Sequence, residues 1–188
     1  ETFSEDGSII TKNPIVFIIS HPRSLSTILF RTLMNNPQTT PLFEPFSMFF
    51  LNTIGYKLEN YPTPKREDFL EYIETQISKA EKEGKFLLMK DMAFVLTEYF
   101  SEYMSKLSET RSVKFIYLVR HPKPAYLSFL NKLKLDKNSI MEYKVTLLHK
   151  PLWELYQKIK GRILITEDFQ EEPNRAIKEL HEYIGMEF

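Results

Sequence analysis

Pro14-Ile-Val-Phe-Ile-Ile-Ser-His-Pro-Arg-Ser-Leu-Ser-Thr27 joins an apolar run to a short segment that is rich in hydroxyl side chains. The run from Ile15 to Ile19 has the length of a strand and does not alternate with polar residues, which is typical of a strand covered on both faces. A helix-like stretch follows from Ser26. The segment therefore predicts a buried strand, a tight turn and a helix, which is the repeating unit of parallel α/β sheets.

Apolar runs and helix-like stretches continue to alternate along the rest of the chain. The predicted strands are Ile15 to Ile19, Thr39 to Phe43, Phe86 to Met89, Lys114 to Val119 and Ile163 to Thr166. The predicted helices are Ser26 to Asn35, Glu67 to Lys82, Phe94 to Leu107, Ala125 to Leu133, a long segment around Ile140 to Lys160, and Pro173 to Ile184. We expect Pro151 to split or kink the long segment.

This alternation predicts a single α/β domain with a parallel sheet of about five strands, flanked by helices and joined by right-handed crossovers. The domain is expected to span residues 14–188. Residues 1–13 are mostly polar, and we expect them to form a flexible N-terminal segment.

Composition excludes several classes of function. The 188 residues contain 25 Lys plus Arg, 25 Asp plus Glu and no Cys. A nucleic-acid partner would call for a basic excess, and disulfides or thiolate metal sites would need cysteine. No apolar run is long enough to span a membrane. We expect a cytoplasmic protein without a nucleic-acid partner or membrane span, although a chain starting at Glu1 is compatible with an earlier targeting segment. Composition leaves the oligomeric state open.

The loop after the first strand has the chemistry of an anion site. Ligands of parallel α/β sheets bind outside the carboxyl ends of the strands. Here Arg23 supplies a cation, hydroxyls come from Ser24, Ser26 and Thr27, and the following helix presents unpaired backbone amides. The alternative is that the hydroxyls only cap the helix. The segment has no glycine and lacks the Gly-Lys-Ser/Thr ending of a nucleotide triphosphatase P-loop.

A second strand end offers a similar site about a hundred residues later. Arg120 ends an apolar run, Pro122 can begin a helix, and Ser128 lies eight residues after Arg120. The planar guanidinium of arginine can donate two hydrogen bonds to one phosphate. Taken alone, this could equally be a surface arginine followed by a helical serine. Together, the two strand ends predict one ligand with two separated anionic groups.

Both segments resemble motifs of the sulfotransferases. The first resembles their 5′-phosphosulfate loop, Pro-(Lys/Arg)-Ser-Gly-(Thr/Ser)-(Thr/Ser), with Leu25 in place of the glycine. The second resembles their 3′-phosphate motif, Arg-x-Pro-x-x-x-x-x-Ser. A third stretch, Arg162-Ile-Leu-Ile-Thr-Glu-Asp-Phe, resembles the late strand and Tyr-Glu-Asp segment of the same family. Glu167 and Asp168 in that stretch are expected to be scaffold residues outside the site.

The resemblance implies a P-loop-like sulfotransferase architecture and 3′-phosphoadenosine 5′-phosphosulfate (PAPS) as the co-substrate. The residues that it implies for binding this nucleotide are Arg23, Ser24, Leu25, Ser26, Thr27, Arg120 and Ser128. No metal is expected, because a transferring sulfonate carries less charge than a phosphoryl group.

Sulfuryl transfer needs a cation beside the bridging oxygen and a base for the acceptor proton. The resemblance places Arg23 in the first role. Glu44 and Asp91, which follow the second and third strands, are the candidate bases; the apolar neighbours of Glu44 favour it, because they would raise its pKa. Lys90 could assist at the transferred group or be an ordinary solvated lysine.

Two histidines and a group of aromatic residues are further candidates for lining the site or binding the acceptor. His21 and His121 follow their strands directly and are expected to line the site. Aromatic residues between Leu42 and Tyr61 predict either a pocket for a small, partly apolar acceptor or ordinary core packing. Two alternatives to a sulfotransferase remain: a P-loop kinase-like phosphotransferase, and a non-catalytic nucleotide-binding protein on the same scaffold.

Overall fold

The structure is a computed structural model that describes residues 2–3, 9–10, 13–53, 66–93, 98–133 and 141–188. The described strands are β1 (Thr2–Phe3), β2 (Ile9–Ile10), β3 (Ile15–Ser20), β4 (Thr39–Phe43), β5 (Phe86–Met92), β6 (Val113–Val119) and β7 (Arg162–Ile165). The described helices are α1 (Ser26–Met34), α2 (Pro45–Thr53), α3 (Arg66–Lys82), α4 (Glu98–Thr110), α5 (Pro122–Leu133), α6 (Met141–Lys158), α7 (Thr166–Glu171) and α8 (Pro173–Ile184).

Strands β3 to β7 form one five-stranded sheet in the order β4-β5-β3-β6-β7, and all neighbouring strands in it are parallel. The predicted fold class is therefore confirmed. The central strand is β3, the strand of the opening sequence. Because the strands run in the same direction, their carboxyl ends and the loops that follow them lie at one edge of the sheet.

The apolar residues of β3 explain why this strand is central. Ile15, Phe17 and Ile19 belong to a core on one face of the sheet, which includes residues of α2, α3, α4 and α6. Val16 and Ile18 belong to the core on the other face, with residues of α1 and α8. Every residue of β3 is buried. A strand that is apolar on both faces can satisfy both only in the middle of a covered sheet.

The helices α2 and α7 were absent from the sequence prediction, and β5 runs three residues beyond its predicted end at Met89. The short prediction for β5 and the absence of α2 have a physical origin. The extension of β5 contains Lys90 and Asp91, whose charges suggested a loop, although both are buried in the structure. The sequence around Pro45 reads as a turn, because the group that holds the start of α2 lies far away in the chain.

The structure also bears on the expectations for Pro151 and for residues 1–13. The helix α6 continues through Pro151 as one helix, so the predicted split does not occur, and the alternative of a kink stays a prediction. Within residues 1–13, the strands β1 and β2 pair antiparallel, so this segment contains a small hairpin, and its flexibility stays a prediction. Among the described helices, none has the length and apolar content needed to cross a membrane.

Candidate functional site

The loop between β3 and α1 has an unusual backbone. Arg23 and Leu25 have φ angles of 67° and 64°, in the left-handed region that favours glycine. Leu25 is the residue before the first turn of α1, and its carbonyl accepts the N–H groups of Ile28 and Leu29. The backbone amides that come before Ile28 in the chain therefore have no hydrogen-bond acceptor within the helix. They are the donors that make a helix start suitable for an anion.

Side chains from the neighbouring strand ends hold the carbonyl groups of this loop. Arg120 donates from Nη1 to the carbonyl of Arg23 at 2.9 Å. Thr166, which is fully buried at the start of α7, donates from Oγ1 to the carbonyl of Ser24 at 2.9 Å. Because these carbonyls are bonded to protein groups, the loop is fixed in one conformation. Both bonds to this left-handed segment come from residues that directly follow β6 and β7.

The two predicted anion sites form one cavity. Arg23 donates from Nε to the hydroxyl oxygen of Ser128 at 3.0 Å, which joins the first loop to α5. The cavity has a volume of about 240 Å³. It is lined by Arg23, Leu25, Ser26, Thr27, Ile28, Arg120 and Ser128. The residues predicted to bind the nucleotide, except Ser24, all line this cavity.

Polar atoms at this edge of the sheet are buried without partners. Within the described part of the chain, no hydrogen-bond partner exists for Ser24 Oγ or for Arg120 Nε. The carboxylate of Glu167 lies 3.9 Å from Arg120 Nε, which is too far for a hydrogen bond. A buried polar atom without a partner costs roughly 1 to 3 kcal/mol, and a hydrogen bond to a polar ligand would remove that cost.

Glu167 accepts a hydrogen bond from the amide of His121 at 3.2 Å, and its carboxylate is the acid nearest to Arg120 in the described ion pairs. Sequence reasoning placed Glu167 outside the site. The structure places it beside the second loop, where it supports the loop backbone. His121 itself is exposed, and Asp168 is exposed on α7.

The candidate base Glu44 is joined to Lys90. Their side chains form an ion pair in which Lys90 has 3% and Glu44 has 18% of its side chain exposed. The Lys90 ammonium also lies 5.0 Å from the centre of the Phe43 ring. Glu44 has a φ of 47°, and its amide donates to the Lys90 carbonyl at 2.8 Å. Lys90 is therefore a buried, paired lysine and not the ordinary solvated residue considered above.

The other candidate base, Asp91, is fully buried on β5 and caps α2. Its carboxylate accepts the amide of Phe46 at 2.7 Å and the amide and hydroxyl of Ser47. The amide of Met92 donates to it at 3.0 Å. Burial raises the pKa of Asp91 to about 6, against the opposing effect of these hydrogen bonds. With its oxygens engaged in this way, Asp91 has the contacts of a structural residue.

The aromatic stretch after β4 divides into two groups. Phe46 packs against the rings of Phe17 and Phe100, and Phe49 stacks on Phe69, so these two residues belong to the core. Phe43 is 47% exposed beside the Lys90 ammonium. The remaining predicted pocket residues, the side chain of Phe50 together with Tyr56 and Tyr61, lie outside the described residues.

Two buried ionisable groups make opposite contributions to the pH dependence of stability. Burial, together with the nearby His149, lowers the pKa of His21 from 6.5 to about 4. Between these two pH values the unfolded chain binds a proton before the folded chain does. Acidification through this range therefore destabilises the fold. Asp91, with its pKa raised from 3.8 to about 6, behaves oppositely, because the folded chain takes up the proton first. The two contributions are expected to offset one another between about pH 4 and pH 6.

Substitutions should separate these contributions. The stability advantage of wild type over His21→Gln should shrink by roughly 2 to 3 kcal/mol as the pH falls from 7 to 4. Its advantage over Asp91→Asn should grow over the same range. Urea unfolding at several pH values measures both differences. Parallel profiles for the three proteins would contradict this assignment.

The left-handed backbone at Leu25 gives a second prediction. Leu25→Gly and Leu25→Ala both remove the side chain, but only glycine relieves the strain of a φ of 64°. We expect the glycine variant to be more stable than the alanine variant by about 1 kcal/mol. This reverses the order found at ordinary helical positions. Equal stability in chemical denaturation would show that the loop backbone is unstrained.

Comparison with known proteins identifies related folds. No family model and no curated protein sequence matches the chain. The sulfotransferase domain of a Synechococcus olefin synthase matches with a TM-score of 0.63 at 21% identity, covering 100% of this chain and 78% of that chain. For a mouse sulfotransferase complexed with PAP, the TM-score is 0.57 at 12% identity, with 96% of this chain and 62% of that chain covered.

Kinases share the same fold. A shikimate kinase from Bacteroides thetaiotaomicron matches with a TM-score of 0.56 at 13% identity, and the match covers 92% of this chain and 99% of that chain. The sulfotransferase-like architecture predicted from the sequence is thus confirmed as a fold, and kinases also have it. Because one fold serves several chemistries, the function has to be argued from the site.

Proposed function

We propose that the chain is a sulfotransferase, which moves a sulfuryl group from PAPS to a hydroxyl or amine of a small, partly apolar acceptor. The observation that carries this proposal is the joining of two anion sites in one cavity, through the bond from Arg23 to Ser128. A nucleotide that is phosphorylated at both its 3′ and 5′ positions has the two anionic groups that such a cavity requires. The PAP complex of a protein with this fold supports the same ligand class.

The first loop would hold the phosphosulfate end of the nucleotide. The amides at the start of α1 and the hydroxyls of Ser24, Ser26 and Thr27 are donors of the right kind, and Ser24 Oγ has no partner among the described residues. Arg23 would stabilise the charge that develops on the bridging oxygen as the sulfur leaves it. Leu25, which replaces the glycine of the motif, adopts the left-handed backbone that glycine would favour. Its presence is therefore compatible with the loop geometry.

The 3′-phosphate would bind Arg120 and Ser128. Arg120 already uses Nη1 on the Arg23 carbonyl, whereas its Nε is buried without a partner among the described residues. A phosphate oxygen would satisfy that Nε in a charge-assisted hydrogen bond. Since Arg120 also holds the first loop, binding at one end of the nucleotide would stabilise the loop at the other end.

In the proposed reaction, the acceptor oxygen or nitrogen attacks sulfur in line with the bridging oxygen. The bond between sulfur and that oxygen breaks, adenosine 3′,5′-bisphosphate leaves, and the acceptor proton passes to a base. We assign the base role to Glu44 over Asp91, because the Asp91 carboxylate is fully buried and bonded to the start of α2. Lys90 holds the Glu44 carboxylate in place.

A non-catalytic nucleotide-binding protein is the second candidate, and the Glu44 and Lys90 pair favours it. One oxygen of the Glu44 carboxylate is already occupied by the Lys90 ammonium. For Glu44 to accept a proton, the bond to Lys90 has to loosen or shift toward the transferred group. Nucleotide binding without turnover on any acceptor would support this candidate.

The fold is shared with P-loop kinases, but the residues of the first loop differ from those of a kinase phosphate loop. Its phosphate loop ends in Gly-Lys-Ser/Thr, with the lysine on the transferred phosphate. The corresponding segment here is Pro22-Arg-Ser-Leu-Ser-Thr27, which contains neither the glycine nor the lysine. The exposed ring of Phe43 beside Glu44 also points to an apolar acceptor.

The proposal is tested by incubating the protein with PAPS carrying labelled sulfate and a panel of phenols, aliphatic alcohols, amines and charged polysaccharides. We expect label on an acceptor that has an apolar or aromatic body, with equimolar release of adenosine 3′,5′-bisphosphate. A parallel panel with labelled ATP and magnesium is the control. Transfer from ATP, or transfer to charged polysaccharides alone, would contradict the proposal.

A further inference from the structure

His21 connects the loop after β3 to the loop after β6. The proposed chemistry gives this side chain no role. His21 follows β3 and is fully buried. Its Nδ1 lies 2.9 Å from the carbonyl of Pro22, and its Nε2 lies 3.0 Å from the amide of Arg120. A carbonyl can only accept and an amide can only donate, so Nδ1 carries the proton and Nε2 is bare. Only the neutral ring can make both bonds.

These bonds continue the sheet beyond the point where its ladder ends. The pairing of β3 with β6 extends to Ser20 and Leu118. One step further, the ring of His21 takes the place of a backbone acceptor for the Arg120 amide. The loop after β3 and the loop after β6 are thereby fixed relative to each other by a side chain.

His149 on α6 bonds the backbone of the same residue, Arg120. Its Nε2 donates to the carbonyl of Arg120 at 3.0 Å, and its ring lies 4.2 Å from the ring of His21. The backbone of Arg120 is therefore bonded at its amide by one histidine and at its carbonyl by the other. Burial lowers the pKa of His21 to about 4, which keeps the ring in the required neutral form near neutral pH.

We propose that His21 is a positioning residue that sets the distance between the two anion sites, and thereby selects a nucleotide phosphorylated at both ends over one phosphorylated only at the 5′ end. The inference rests on the proposed nucleotide site. It assigns His21 no contact with the ligand: the residue acts through the backbone of Arg120.

Two substitutions of His21 distinguish its two bonds. The oxygen of a glutamine can occupy the place of Nε2 and accept the Arg120 amide, whereas an asparagine reaches only the place of Nδ1 and the Pro22 carbonyl. His181 offers a matched control, because it is also buried and also bonds a carbonyl, that of Glu187, outside the site. His181→Asn should weaken the fold without changing the nucleotide preference.

The measurement is the ratio of two dissociation constants by calorimetry, that for adenosine 5′-monophosphate over that for adenosine 3′,5′-bisphosphate. We expect His21→Asn to lower this ratio at least tenfold, mainly through weaker bisphosphate binding. His21→Gln should keep the ratio within about threefold of wild type, since it retains the acceptor. A purely structural role would lower both affinities together and leave the ratio unchanged.

The outcomes separate the inference from the proposed function. A wild-type ratio near one would overturn the proposed nucleotide site, and the role of His21 with it. A high wild-type ratio that survives His21→Asn would overturn only the inference. If the asparagine variant does not fold, His149→Phe decides: it keeps a ring beside His21 but removes the donor to the Arg120 carbonyl. A reduced ratio supports the positioning role, and an unchanged ratio contradicts it.

Discussion

Replacing Arg120 by alanine should weaken binding of adenosine 3′,5′-bisphosphate about 100-fold, because a charge-assisted hydrogen bond contributes roughly 1.5 to 3 kcal/mol and two nitrogens of this side chain serve the site. One nitrogen is buried without a partner among the described residues, and another holds the Arg23 carbonyl. Titration calorimetry measures the loss. Adenosine 5′-monophosphate should be affected less, since it lacks the 3′-phosphate and loses only the support that Arg120 gives to the first loop.

Two further variants make the Arg120 experiment interpretable. Arg120→Lys keeps the charge but loses the planar fork, so we expect an intermediate loss of about tenfold. Arg111→Ala is the control, because Arg111 forms ion pairs with Glu74 and Glu81 and lines no part of the cavity. Its bisphosphate affinity should equal that of wild type. Unchanged affinity in Arg120→Ala would remove the residue from the nucleotide site.

Replacing Glu44 by glutamine should lower the rate of sulfuryl transfer by a factor of about 100 to 10,000, the usual contribution of a general base. The affinity for the bisphosphate should stay within about threefold of wild type, because Glu44 does not line the cavity between the two loops. Steady-state rates with the best acceptor of the panel, together with calorimetry, test both expectations.

The buried partner of Glu44 complicates this substitution. Lys90 has only 3% of its side chain exposed, so removing the carboxylate leaves a buried charge and should cost roughly 3 to 5 kcal/mol of stability. The double variant Glu44→Gln, Lys90→Met removes both charges and should recover much of that stability without recovering activity. If the double variant regains wild-type turnover, Glu44 is not the base.

Asp91→Asn provides the comparison between the two candidate bases. The carboxylate of Asp91 holds the amides of Phe46 and Ser47, so we expect lower stability with little change in the turnover of the folded fraction. A loss of turnover in Asp91→Asn larger than that in Glu44→Gln would reverse the assignment. Circular dichroism under the assay conditions gives the folded fraction.

The sheet was predictable because its signals are local. The strands β3 and β6 are runs of mainly apolar residues whose burial is visible in their composition. The predicted bounds of β3, β4 and β6 agree with the structure to within one residue. Helix α2 was not predictable in this way. Its start is capped by Asp91, which lies more than 40 residues away in the chain. No residue near the helix in the sequence therefore indicates where it begins.

The meeting of the two loops was also predictable, whereas the ligand of the cavity stays a prediction. The spacing of Arg23, Arg120 and Ser128 indicated two loops that share a ligand, and the structure joins them in one cavity. The bond from His21 to the Arg120 amide spans 99 residues and depends on a backbone group that no sequence pattern displays. His149 was missed for the same reason. Of the two alternatives for Lys90, the ordinary solvated lysine was wrong, because its pairing with Glu44 depends on the alignment of β4 with β5.

We propose that the cavity between the two loops binds an adenosine nucleotide phosphorylated at its 3′ and 5′ ends. Thermal unfolding in the presence of adenosine 3′,5′-bisphosphate, compared with ATP plus magnesium, tests it most directly. At about 100 times its dissociation constant, the bisphosphate should stabilise the protein by roughly 2.7 kcal/mol, a rise of about 5 to 10 °C in Tm. ATP with magnesium should give little shift. Stabilisation by ATP and magnesium without stabilisation by the bisphosphate would show that the cavity does not bind a 3′,5′-bisphosphate nucleotide.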